Sequence, residues 1–148
     1  GVVKALLDQF VIFDYVTQYA LQHKSIDSVE IFSFNDWDDF SRFVQARNFD
    51  FETVTEKKIK ELTTIASSEN LPLSADLKAL EAKVKAEKKG ELARNKARIL
   101  HEIEQEIVGR YYFQRGKVRK NLKNDPEIEE AVKLLNEPAR YQSILSGK

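Results

Sequence analysis

From Leu92 to Leu122 the chain carries apolar residues at steps of mostly three, four or seven: Leu92, Ile99, Leu100, Ile103, Ile107, Tyr111, Val118 and Leu122. That spacing is the 3.6-residue period of a helix with one buried face. A helix of about 30 residues is about 45 Å long. Such an element is expected to protrude, or to bridge two parts of a larger protein. Only 5 Gly and 3 Pro occur in 148 residues, which disfavours turn-rich β architectures and favours further helices.

The remaining segments fit that reading. A first helix is predicted over Val2–His23. Its apolar residues (Leu6, Leu7, Phe10, Val11, Phe13, Val16, Ala20) cover more than one face, so it should be heavily buried. The run is about long enough to span a bilayer, but Lys4, Asp8 and Asp14 interrupt it, and charge at that depth is costly; it reads as a core helix. Ser33 with Asp36 resembles a capping box, ahead of a helix with Trp37, Phe40, Phe43 and Val44 on one face. Val29–Phe34 reads as a brief strand or an extended connector. Phe49 and Phe51 alternate with Asp50, so Asn48–Phe51 could pair with it as a two-stranded β element, marginal unless helices back it.

Thr53 with Glu56 is a second capping box, opening a helix to about Ser68 with Ile59, Leu62 and Ile65 or Ala66 inward. Pro72 ends it. Ser74 can cap the next helix, with Leu77, Leu80 and Val84 inside. Lys85–Gly90 is a charged waist, either a break or a thin solvated stretch. Asp125-Pro126-Glu127 is a start signal: a capping Asp, Pro at the first helical position, and an acid at the positive dipole end. The expectation is a mainly α single domain over residues 1–148, with five to six helices, one of them long, and a minimal two-stranded β element as an option. A start inside a helical pattern points to a fragment of a longer chain, with Gly1 as a tag remnant.

Little in the chain suggests chemistry. There is no Cys, which excludes thiol catalysis and Cys-ligated zinc, and there are only two His residues. Asp36, Asp38 and Asp39 read as an acid-rich first turn rather than a calcium loop. No nucleophile elbow or Gly-rich phosphate loop is present. No catalytic residue, metal or cofactor is therefore assigned. The sharpest local feature is Arg110–Lys123, with six basic residues, no acid and three adjacent aromatics. Basic side chains among stacking rings suit single-stranded nucleic acid, and Arg110, Tyr112, Arg115, Lys117, Arg119 and Lys120 form the candidate interaction surface. Against that, Lys+Arg and Asp+Glu are both 24, whereas nucleic-acid binders carry a basic excess. The structural alternative is pairing with Glu102, Glu104 and Glu106 one to two turns earlier.

Four stretches carry a resemblance. L-L-D-Q-F-V-I-F-D-Y-V-T-Q-Y at Leu6–Tyr19 resembles the segment after the catalytic core of bacterial carboxy-terminal processing peptidases (peptidase family S41). E-I-V-G-R-Y-Y-F-Q-R-G at Glu106–Gly116, D-P-E-I-E-E-A-V-K-L-L-N at Asp125–Asn136 and Y-Q-S-I-L at Tyr141–Leu145 are similar to the end of those chains. The resemblance implies an exported serine peptidase of the periplasm or cell envelope, with a PDZ domain and a Ser/Lys dyad, none of which lies here. This chain would be its non-catalytic C-terminal helical domain. Its expected partners are the parent's own peptidase core, a second copy, or a protein adaptor.

Overall fold

A computed structural model describes residues 1–123 and 125–147. Among these, nine helices and no strands are found: α1 Val2–Asp8, α2 Val11–Gln22, α3 Trp37–Ala46, α4 Val54–Ser68, α5 Ser74–Lys88, α6 Glu91–Arg94, α7 Lys96–Leu122, α8 Pro126–Leu135 and α9 Pro138–Leu145. The mainly α class and the long helix are as the apolar period requires. The helix count exceeds the expected five to six because single periodic segments are broken by turns.

The first of these breaks divides Val2–His23. Phe10 adopts φ 57°, ψ 21°, and its N–H donates back to the Leu7 carbonyl at 3.0 Å. An unbroken helix would present apolar residues all round with no single core to meet them. Folding α1 against α2 turns Val2, Val3 and Leu6 towards the same interior as Val11, Ile12, Tyr15 and Val16. Phe40 and Val44 of α3 and Ile99, Ile103, Ile107 and Val108 of α7 complete that core. The α7 residues recur at three and four, one stripe facing α2.

The β element is not formed. Val29, Phe32 and Phe34 are buried in the core, but Ser28–Phe32 is a turn, with Ile31 N and Phe32 N donating to Ser28 O at 2.9 and 2.8 Å. The backbone of this segment finds side chains instead of a strand. Phe34 N donates to Glu104 Oε2 at 2.8 Å, and Lys120 Nζ donates to Phe32 O. Phe49 and Phe51 stack on each other, centroids 5.8 Å apart. Period-two alternation over so few residues describes a wrapped connector as well as a strand.

Two caps also differ. Asp36, not Ser33, caps α3 by accepting from Asp39 N at 3.0 Å. Leu73 precedes α5, and Ser74 makes no capping bond. Thr53 and Glu56 do form the reciprocal box, at 3.1 and 2.7 Å. Asp125 accepts from Glu127 N and Ile128 N at the start of α8. Gly90 lies at a break between α5 and α6.

Helices α4 and α5 form a hairpin with its own small interior of Ile59, Ala66 and Leu77, apart from the main core. Leu62 and Leu80, expected inward, are exposed, and of the alternatives Ile65 and Ala66 it is Ala66 that is buried. Helices α8 and α9 form a second hairpin with no buried residue among those described.

Helix α7 is not a straight rod. Phe113 has φ 56°, ψ −161°, a region that is essentially glycine-only and costs of order 1–3 kcal/mol. The helix turns there and its distal arm runs back along its proximal one. Glu104 and Lys120 are 16 positions apart, about 24 Å along a straight helix, yet their side chains meet at 2.9 Å. The expected protrusion is therefore replaced by a closed helical hairpin.

Candidate interaction surface

The basic stretch lies on this turn. Its proximal part, Arg110–Tyr112, still belongs to the arm packed on α2. Arg110 donates to Thr17 Oγ1 at 2.7 Å, and its guanidinium lies 4.4 Å from the centroid of Phe13. Tyr111 donates its hydroxyl to His23 O, and Tyr112 donates to Asp27 O at 3.1 Å. The two phenols thus hold the chain that leaves α2. Burial raises the Tyr111 phenol above its ordinary value, keeping it a donor.

The distal arm is tied down by its cations. Lys117 pairs with Glu106 at 2.7 Å, Lys120 with Glu104 at 2.9 Å, and Arg119 with Glu30. Lys123 donates to Glu30 O at 2.6 Å. The Lys120–Glu104 pair is the most enclosed, with side chains 10% and 15% exposed. Glu104 bridges Lys120 and Phe34 N, so one carboxylate joins both arms of α7 to the 28–34 turn. Five of the six candidate residues, Arg110, Tyr112, Lys117, Arg119 and Lys120, thus face partners in their own chain. Arg115 is exposed and has no such partner among the described residues. The arrangement neutralises charge locally and fixes the turn; it leaves little free cation to meet a phosphate.

Glycine makes the turn possible. A β-carbon on Gly116 would stand 2.3 Å from Tyr112 Cβ and 3.0 Å from Val108 Cγ1. One on Gly109 would meet only the flexible end of Lys117, Cε at 2.1 Å, which can swing aside, so the steric requirement falls on Gly116. Of five glycines in the chain, these two flank Phe113, and they were the only signal in the sequence that the long helix closes on itself.

The other polar features are also internally engaged. A cavity of about 810 Å³ lies between α2 and α3, walled by Tyr15, Tyr19, Phe34 and Phe43. On its rim Arg42 pairs with Asp39 at 3.1 Å and Arg47 with Asp14 at 2.5 Å. Burial, then the hydrogen bond to Asp39 at 3.0 Å, pushes the Tyr15 phenol well above its ordinary value. His23 stacks on Tyr19 with centroids 4.0 Å apart. Among the described residues, no three of His, Asp and Glu gather as a metal-ligand set, and no helix is long and apolar enough to cross a membrane.

A family model described as the C-terminal helical domain of a probable PDZ-protease matches residues 2–135. The chain belongs to that family. The match runs from α1 through α8, so this PDZ-protease helical domain takes in the core, the α4–α5 hairpin and the closed α7 hairpin. No curated protein and no solved structure matches the chain.

Proposed function

We propose that this domain is the non-catalytic C-terminal brace of an exported S41-type serine peptidase, a carboxy-terminal processing protease of the periplasm or cell envelope. The Ser/Lys dyad would lie elsewhere in the parent. The observation that carries the reading is the α4–α5 hairpin. It stands off the main core and leaves apolar side chains uncovered, Val54 at 74% exposure and Leu62, Ile65, Leu71 and Leu80 near half. An amphipathic hairpin with that much exposed apolar surface is built to meet another surface. In a protease tail, the surface we assign to it is the parent's own peptidase core. The domain would then steady that core, support assembly, or govern the access of substrate or an adaptor.

Deletion of the domain from the parent tests this. The truncated parent is expected to lose thermal stability, to change its sedimentation, or to change which folded substrates it cleaves. A truncated parent that matches the intact one in all three overturns the proposal. Nucleic-acid binding by 110–123 draws no support from the geometry, because most of its cations face carboxylates and carbonyls of the same chain.

A further inference from the structure

The contacts that close α7 share one centre. Glu104 meets Lys120 at 2.9 Å, Gln105 Nε2 donates to Asn121 Oδ1 at 2.6 Å, Glu106 meets Lys117 at 2.7 Å, and Val108 lies against Gly116. The midpoints of all four pairs fall at residues 111–113. An antiparallel hairpin with a single centre contains the same contacts as two straight helices crossing antiparallel about a two-fold axis at that centre. Each pair can then form between copies, Lys120 of one with Glu104 of the other. The clamps from Arg119 and Lys120 to the 28–34 turn transfer with the arm.

Only the hinge differs between the two arrangements. Phe113 holds a backbone that suits glycine, and its ring is 76% exposed, so no packing of that ring is lost when the backbone changes. In a straight helix the same residue takes ordinary helical angles and the strain is released, once in each copy. Gly116 sits near the crossing point and allows the helices to approach closely.

We propose that α7 straightens at Phe113 and exchanges its distal arm, residues 114–123, with a second copy of this chain, forming a two-fold swapped dimer. The exchange concerns this chain alone. Its failure would leave the bracing role to stand or fall on the parent truncation, and the reverse also holds.

The test uses the 148-residue chain, with mass measured by analytical ultracentrifugation over a range of concentrations. Phe113→Ala keeps the strained hinge of the hairpin but gains helix propensity in each copy of the straight helix, and is expected to raise the dimer association constant about fivefold. Phe113→Gly relaxes the hairpin and is expected to lower it. The chain has no Cys, so introduced thiols report unambiguously. Gln105→Cys and Asn121→Cys chains are mixed, warmed to allow exchange, and treated with a short bis-maleimide. A swapped dimer gives a covalent heterodimer across the two sites. The proposal is overturned if both Phe113 variants keep the wild-type mass distribution, or if dimers form without that cross-link. Should circular dichroism show Phe113→Ala to be unfolded, the Gly variant and the thiol pair in the otherwise unchanged chain decide the matter. Absence of the mixed product at the highest concentration then counts against exchange.

Discussion

Gly116 sits where the two arms of α7 touch, and the atoms it would strike belong to Tyr112 Cβ and Val108, close to the backbone and unable to swing away. Gly116→Ala gains about 1 kcal/mol of helix propensity but overpacks the contact, at about 1–3 kcal/mol. A net loss of up to about 2 kcal/mol is expected, seen as a lower urea midpoint at unchanged slope. Lys120 presents a different balance. Lys120→Met leaves Glu104 enclosed beside Phe34 N without its cation and frees Phe32 O. A cost of about 2–3 kcal/mol is expected from the uncompensated carboxylate, measurable in the same titration. Glu56 supplies the pH dependence. The Thr53 N–H that it accepts holds its carboxyl below the usual glutamate range; burial opposes this, and Lys88 adds to the lowering. A depressed carboxyl stabilises the fold above the unfolded value, about 4.3, and that contribution is lost as pH falls through the folded value. Glu56→Gln should therefore be less stable than wild type at neutral pH, and the gap should close as pH drops below about 4. A gap that stays constant to acid would show that the carboxylate contributes no charge-dependent stability.

At the scale of elements, the α4–α5 hairpin has an interior of three residues, whereas α2 and proximal α7 share the main core. Local opening should follow that difference. Amide hydrogen exchange is expected to be faster in α4 and α5 than in α2 and residues 99–108. Leu77→Ala, at a local cost of about 2–4 kcal/mol, should remove protection from α4 and α5 while leaving α2 protected. Loss of protection everywhere would mean that the hairpin and core unfold together. The same distinction explains what was readable in advance. The box at Thr53 and the Asp125-Pro126 start were legible because each is satisfied within a single turn. The turns at Phe10 and Phe113 were not, because neither residue is glycine or proline and both conformations are imposed by packing elsewhere in the chain. Arg110–Lys123 was legible as a charge pattern, but its partners Glu30 and the Phe32 carbonyl lie more than 80 positions away.

For the molecule as a whole, one core, which the α7 hairpin helps to build, carries two further hairpins, α4–α5 and α8–α9, of unequal attachment. Helices α8 and α9 bury no residue among those described, so a chain ending at Lys123 should keep its cooperative melting within about 2–3 °C. A larger loss would mean that these helices hold the distal arm of α7 in place. The position of the chain's single tryptophan sharpens all such measurements. Trp37 opens α3 against the core, its ring 6.0 Å from Phe40 and 5.5 Å from the Lys96 ammonium at the start of α7. Its fluorescence is an optical gauge of one joint, the seat of α3 on α7, and is blind to both hairpins. Emission and helical ellipticity should therefore trace different curves in denaturant, and the separation between them would give the share of helix that melts before the core does.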